Sequence, residues 1–295
     1  PGPVLAYCRS GARSEQLAVM AAACGEGKEL ASYDILVVGG GSAGIAAAAS
    51  ILRRRPDVSL AIIEPSEEHY YQPGWTMVGG GIFAAEATRR REAGLIPPGA
   101  KWICAAAAAF DPANNRVTLV DGRVVGYRAL IVCPGLKLAW DAIPGLAASL
   151  GSGGVTSNYR FDLAPYTDRL VRQFLGGRAL FTQPPMPIKC AGAPQKALYL
   201  SCHRWERAGL LGGSEIQFHN AAPTLFGVAA YVPALEAYIA RYGIDLQLES
   251  RLVSIDGPAK VALFEQRRGD TVRRVEERFD MIHVVPPQVA PDFIA

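Results

Sequence analysis

Three observations predict an α/β protein made of two βαβ domains with parallel sheets. Apolar, β-branched runs of strand length alternate with helical segments along the chain. A glycine-rich turn joins the first such run to its helix, and a second strand–loop–helix unit begins near Gly177. The 295 residues allow for about two domains, and a hydrophobic share of 50 % supplies buried cores. We read residues 1–24 as a fragment of an upstream domain and 25–32 as a linker. Residues 33–150 form the first βαβ domain and 151–295 the second.

The first unit runs from Tyr33 to Glu64. Ile35 to Val38 reads as a buried parallel strand. Gly39, Gly41 and Gly44 follow at G-x-G-x-x-G spacing, with Ser42 and Ala43 opening an alanine-rich helix, and Ser59 to Ile63 is the second strand. Gly39 permits the tight turn, Gly41 lets backbone approach a pyrophosphate, and Gly44 with Ala48 lets helix and sheet pack closely. The helix N-terminus offers free N–H groups and the positive end of its dipole. Glu64, twenty residues past Gly44, sits where a carboxylate accepts hydrogen bonds from ribose hydroxyls. Strand, glycines, helix, strand and acid in register make a Rossmann-like dinucleotide site. Whether it holds FAD or NAD stays open on this stretch alone.

Composition excludes several classes. A net charge of +3 with interspersed signs carries no nucleic-acid signal, and the arginine runs Arg53–Arg55 and Arg89–Arg91 read as solvated helix faces. No apolar segment approaches the ~20 residues that span a bilayer, and no signal-peptide pattern precedes the fold. The six cysteines (Cys8, Cys24, Cys104, Cys133, Cys190 and Cys202) lack metal-ligand spacing and form no disulfide framework. Both ends read as cut: the chain opens within the strand-like PVLAY and closes in PPQVAPDFIA.

Residues 1–24 read as a strand from Val4 to Tyr7, the loop CRSGARS and a helix from Ser14. A cysteine at a strand end, arginines in a glycine-bearing loop and a following helix make an anion or persulfide cradle on Cys8 and Arg13. The loop resembles the active loop of rhodanese-like and dual-specificity-phosphatase-like domains. Four residues separate Cys8 from Arg13, short of the ordinary phosphotyrosine phosphatase gap. Two dozen residues bury no core of their own, so this stretch is expected to be an inactive tail.

After Glu64, Pro65, Pro73 and a glycine cluster mark a loop in which Tyr70, Tyr71, Gln72 and Trp75 offer polar and flat surfaces beside a dinucleotide. Lys101–Cys104 reads as a strand, VTLVDGRVV as a hairpin turning at Asp121-Gly122, and Ala129–Cys133 as a further strand ending in Pro134-Gly135. That end resembles the hydrophobics-then-A-T-G flavin-side motif of two-dinucleotide-domain oxidoreductases, with Gly135 matching its glycine. Cys133 reads as a small buried hydrophobe.

The second unit begins with the strand Arg178–Thr182, but its loop, QPPMPIKCAGAP, replaces the glycine pattern with Pro184, Pro185 and Pro187. Each proline lacks an N–H, so the loop is poorly built for a pyrophosphate, and the unit is degenerate for NAD. It offers Cys190 instead, just ahead of a helix with Pro194 in its first turn and Lys189 beside it. Such a thiol is expected below the value of about 8.5 for a free cysteine. Cys202, farther along the helix, reads as packing.

Three strings, EPSEEHYYQPGWTMVGGG, PIKCAGAPQK and IHVVPPQVAPD, resemble sulfide:quinone oxidoreductases, closest to the mitochondrial branch, across about Tyr33 to Ala295. The resemblance implies a glutathione-reductase-type fold, bound FAD and two redox cysteines. Sulfide attacks their disulfide or trisulfide, a persulfide forms, and electrons pass through the flavin to a membrane quinone, with a small thiol or sulfite as sulfur acceptor. It implies that Cys190 is the first redox cysteine and that the FAD is held by Gly39, Gly41, Ser42, Ala43, Gly44, Glu64, Pro65, Tyr71, Gln72 and Gly135. The second cysteine, a Gly-Asp flavin motif and membrane-seating helices are expected past Ala295, with the enzyme peripheral on the cytoplasmic or inner membrane. Two alternatives stay open: an NAD(P)H-dependent flavoprotein disulfide reductase, which the prolines and the lack of a C-x-x-C pair disfavour, and a persulfide-carrying sulfurtransferase.

Overall fold

The computed structural model describes residues 4–5 and 29–294. The CRSGARS loop with Cys8 and Arg13, the helix expected over 14–24 and Cys24 lie outside the described residues. The chain divides into two compact units, each discontinuous in sequence.

Among the described residues the first unit comprises Val4–Leu5, Glu29–Tyr70, Arg89–Lys137 and Ala290–Ile294. Its strands are β1 (Val4–Leu5), β2 (Glu29–Val38), β3 (Leu60–Ile63), β4 (Glu68–Tyr70), β5 (Arg89–Arg91), β6 (Ala100–Ile103), β7 (Ala107–Asp111), β8 (Arg116–Leu119) and β9 (Val124–Val132). β6, β3, β2 and β9 lie side by side and parallel, with Ile35 opposite both Leu60 and Ala129. β1 pairs in parallel with β9, and the β7–β8 hairpin closes that side antiparallel. β3 is buried throughout, as a parallel strand covered on both faces must be. Helix α1 (Ser42–Arg54) buries only Gly44 and Ala48, the small side chains that allow close approach to β2 and β3. Phe293 stacks on Phe110, so the last described residues join this core.

Three local differences from the sequence reading have physical causes. β2 starts at Glu29, inside the stretch read as a linker, because β9 extends back far enough to pair Val124 with it. The hairpin return and the apolar strand after it are one strand, β9, for the same reason. Arg89–Arg91 is an exposed strand, not a helix face, since each residue pairs with one of β4.

The second unit comprises Tyr71–Thr88 and Leu138–Val289. Its parallel sheet runs β10 (Val155–Thr156), β17 (Met281–His283), β11 (Gly177–Gln183), β12 (Ser214–Asn220) and β13 (Asp245–Leu248). A separate antiparallel sheet holds β14 (Ser250–Asp256), β15 (Val261–Arg268) and β16 (Thr271–Arg278). The helices are α2 (Trp75–Gly79), α3 (Ala164–Gln173), α4 (Gly192–Arg207) and α5 (Val232–Arg241). α4 buries Leu198, Cys202 and Trp205 against Phe181 and Phe218 of the sheet. The glycine-containing stretch after Tyr71 forms α2, packed on α3 and α4, with Trp75 buried rather than offered to a ligand. The α/β class with two parallel-sheet units is as the sequence predicts.

Candidate functional site

In the first unit the residues of the glycine turn converge at the carboxyl ends of β2 and β3. Gly39 has φ +107°, and a Cβ there would lie 2.2 Å from the Cys133 carbonyl oxygen. A Cβ on Gly44 would lie 1.8 Å from the Gly39 carbonyl oxygen. Both glycines are therefore required by the fold itself. Gly41 differs: a Cβ on it meets nothing within 4 Å. It precedes α1, no side chain caps that helix, and Ser42 and Ala43 are exposed, so the first N–H groups face outward at the positive end of the dipole.

Glu64 closes the site at the end of β3. Its Oε2 accepts from the Gly40 N–H at 2.8 Å and its Oε1 from the Ser66 N–H at 2.8 Å, which orients the carboxylate and leaves each oxygen a lone pair. Pro65 follows directly, and Gly135, with φ +79°, turns the chain after β9. Cys133 is half-buried, and burial pushes its thiol up, away from a reactive thiolate. These residues fit a dinucleotide: unblocked helix N–H groups, open space over Gly41 and an oriented acid.

Sequence reasoning missed Glu92. It is 1 % exposed, its Oε2 lies 3.3 Å from His69 Nδ1, and its Oε1 has no partner. Burial, with the charge of Glu64 adding to it and His69 opposing, raises its carboxyl above the ordinary range. Both side chains crowd Gly40, where a Cβ would lie 2.5 Å from Glu92 Oε1 and 2.6 Å from Glu64 Cβ. No motif announces this acid, because it follows the Arg89–Arg91 run and comes to the glycine turn only through the pairing of β4 with β5.

Cys190 belongs to the second unit, on the loop between β11 and α4. It is exposed and has φ +60°, a left-handed conformation uncommon for a residue with a Cβ. The Ala193 N–H donates to its carbonyl at 2.8 Å. The Tyr159 hydroxyl donates to the carbonyls of Lys189 at 3.0 Å and Cys190 at 3.4 Å, and burial holds that phenol far above its ordinary range, so it remains a donor. The Lys189 N–H donates to Gln288 Oε1 at 2.5 Å. The Lys189 ammonium donates to Gln72, and burial lowers its pKa while the neighbouring Cys190 opposes that shift. Tyr71 and Gln72 thus fold with the cysteine loop's unit; Gln72 supports Lys189. Cys202 is fully buried, and burial pushes its thiol up. Tyr159 and Gln288 were not legible in sequence, since single polar residues far along the chain carry no periodic signal.

The second unit also holds a buried polar pair. The Asn158 N–H donates to His283 Nε2 at 3.0 Å. His283 is fully buried, and burial lowers its pKa to about 4, so it is neutral with its proton on Nδ1. Among the described residues no His, Cys, Asp and Glu cluster is arranged to hold a metal, and no helix is long and apolar enough to cross a membrane.

No family model matches the chain. It is 39 % identical over 229 residues to the mitochondrial sulfide:quinone oxidoreductase of Dictyostelium discoideum, covering 77 % of this chain and 50 % of that protein. It is 35 % identical over 264 residues to the mouse (Mus musculus) mitochondrial sulfide:quinone oxidoreductase, covering 89 % and 58 %. Among solved structures it superposes on the sulfide:quinone oxidoreductase of Aquifex aeolicus with a TM-score of 0.74 at 21 % identity, covering 90 % of this chain and 60 % of that one, a likeness of fold. The chain spans about half the length of the curated relatives it matches. Over that span it is related in sequence to the mitochondrial sulfide:quinone oxidoreductases.

Proposed function

We propose that this chain forms the FAD-binding and sulfur-binding parts of an enzyme that oxidises sulfide and delivers the electrons to a membrane quinone. The observation that carries this reading is the exposed Cys190, held in a left-handed turn at the start of α4 by Tyr159, Lys189 and Gln288, in a chain related to enzymes of that name. The residues proposed to hold FAD in the first unit are Gly39, Gly41, Ser42, Ala43, Gly44, Glu64, Pro65 and Gly135; Tyr71 and Gln72, expected among them from the sequence, fold with the second unit. Bound FAD supplies a two-electron acceptor. Cys190 takes the sulfur: hydrosulfide attacks an S–S bond at Cys190, that bond breaks, and Cys190 keeps a persulfide while the partner sulfur leaves as a thiolate with the electron pair. A small thiol or sulfite then removes the outer sulfur. Lys189, exposed and adjacent, places a positive charge beside the sulfur.

The test is a titration of the flavin-loaded protein with sulfide and, separately, with NADH. Bleaching of the flavin band by sulfide alone supports the reading, and Cys190→Ser abolishes it. Bleaching by NADH would instead support a disulfide reductase, for which the loop prolines leave few N–H donors. Unchanged bleaching in Cys190→Ser removes that cysteine from the reaction.

A further inference from the structure

Glu92 is a buried acid at the glycine turn that the reading of the first unit as a dinucleotide site leaves without a task. It follows the exposed strand β5, yet it is 1 % exposed and its side chain reaches the turn between β2 and α1. Its main chain is anchored there. The Glu92 N–H donates to the Glu67 carbonyl at 2.8 Å, and the Glu92 carbonyl accepts from the Leu95 and Ile96 N–H groups. Gly40 is thereby held between two acids. Its N–H donates to Glu64 Oε2 at 2.8 Å, and the place of its missing Cβ is bounded by Glu92 Oε1 and Glu64 Cβ.

The two carboxyl groups are provided for unequally. Glu64 receives a backbone N–H at each oxygen, from Gly40 and Ser66, and a backbone N–H can only donate. Glu92 has His69 Nδ1 at 3.3 Å from Oε2 and no partner at Oε1. A carboxylate this buried with one oxygen unanswered is costly, and the negative charge of Glu64 close by adds to the cost. Among the described residues the charged groups acting on Glu92 are His69, from β4, and Glu64, from the end of β3. Arg91, next to it in the chain, is exposed and pairs instead with Glu67 and Glu68. Where two neighbouring acids differ in this way, the proton settles on the one with fewer donors, here Glu92.

We propose that Glu92 is a positioning residue that makes dinucleotide binding in the first unit proton-linked: with its proton it is a neutral floor under Gly40, and without it a negative charge opposes the incoming pyrophosphate. The inference rests on the reading that this unit holds FAD and adds how the site responds to pH. Glu92 touches no ligand atom; it acts through Gly40, whose N–H orients Glu64. The balance is simple. FAD and one proton from solvent enter together, the proton forms an O–H bond on the Glu92 carboxyl, and nothing is oxidised or reduced. Affinity therefore falls as pH rises and Glu92 ionises.

The experiment is calorimetry of FAD binding to the whole chain between about pH 6 and about pH 8, in two buffers of different ionisation enthalpy. The parent is expected to take up part of a proton, read as a buffer-dependent heat, and to bind FAD about threefold or more weakly at the upper pH. His69→Gln leaves the acid in place and keeps the uptake; His69→Gln combined with Glu92→Gln abolishes it. If the variants fail to fold, infrared difference spectra of the parent decide the matter. With glutamate labelled at the carboxyl carbon, FAD should strengthen the band of protonated carboxylic acid. Buffer-independent heat in the parent, uptake lost in His69→Gln alone, uptake surviving in the double variant, or an unchanged infrared band overturns the proposal while leaving FAD in the site. Absence of FAD binding at every pH overturns the reading of the site as well.

Discussion

In each unit a buried parallel strand runs into a loop that opens a helix, β2 into α1 and β11 into α4, and the two loops differ in chemistry at the same topological place. The loop after β2 is glycine, packed so closely that Gly39, Gly40 and Gly44 have no room for a Cβ, and it turns backbone N–H groups outward. The loop after β11 is proline and cysteine; it removes N–H groups and presents a thiol. The first surrounding suits a phosphate, the second suits covalent chemistry.

The largest expected effect breaks the contrast at its tightest point. Gly44→Ala drives a methyl into the Gly39 carbonyl oxygen, 1.8 Å away, with a Val37 methyl 3.2 Å off. It should cost about 3 kcal/mol or more, as severe overpacking does. Pro185→Gly in the other loop touches no such contact and should cost under about 1 kcal/mol, mostly through a freer unfolded chain. Urea denaturation of both variants checks this; similar losses would mean the two loops are equally constrained.

Acid should separate the units. His219 and His283 are both buried in the second unit, with pKa values lowered by burial to about 3 and about 4. Each binds its proton less readily folded than unfolded, so their stability contribution is present above about pH 6.5 and is lost as pH falls toward the folded values. At pH 5 the loss is about 2 kcal/mol for each histidine. In the first unit Glu92 has a raised pKa, so its contribution runs the other way, declining as pH rises above the ordinary carboxyl value. Segment-resolved hydrogen exchange at pH 7 and pH 5 should show β12 and β17 losing protection first. Equal loss in β2 and β3 would remove the histidines as the cause.

What was legible in sequence was local. Gly39 to Glu64 declared its strand, turn, helix and acid because each part lies within a few turns of the next, and Cys190 stood out through its Lys and Pro neighbours. What was not legible depends on pairing across distance. Glu92 reaches the glycine turn only because β4 and β5 pair, and Gln288 supports Lys189 across a separation of 99 residues. Tyr71–Thr88 folds with the second unit although no composition shift marks that boundary. Isolated glutamines and tyrosines have no period to read; only the folded neighbourhood gives them a role.

A smaller effect tests the support of the cysteine loop. Tyr159→Phe removes the hydroxyl that donates to the Lys189 and Cys190 carbonyls. The loss should be about 1 kcal/mol, the net worth of an ordinary hydrogen bond. Because the contact holds the loop rather than the core, it should appear mainly as a several-fold faster alkylation of Cys190, read by peptide mapping so that exposed Cys104 is counted separately. An unchanged alkylation rate would mean that the left-handed turn is fixed without Tyr159.

The smallest expected change in stability is the most informative for the first loop. Gly41→Ala adds a methyl that meets nothing within 4 Å and sits at a φ of −67°, ordinary for alanine. Unfolding free energy should stay within about 0.5 kcal/mol of the parent, as for a surface change with no strained contact. Flavin retention should nevertheless fall, because the same methyl occupies the approach to the N–H groups at the start of α1. Equilibrium dialysis with FAD, alongside urea denaturation of the flavin-free protein, separates the two quantities. A variant that keeps both its stability and its flavin affinity would show that the open space over Gly41 is not where the phosphates lie. The distinction between a glycine the fold requires and one the ligand requires would then have to be drawn elsewhere on this turn.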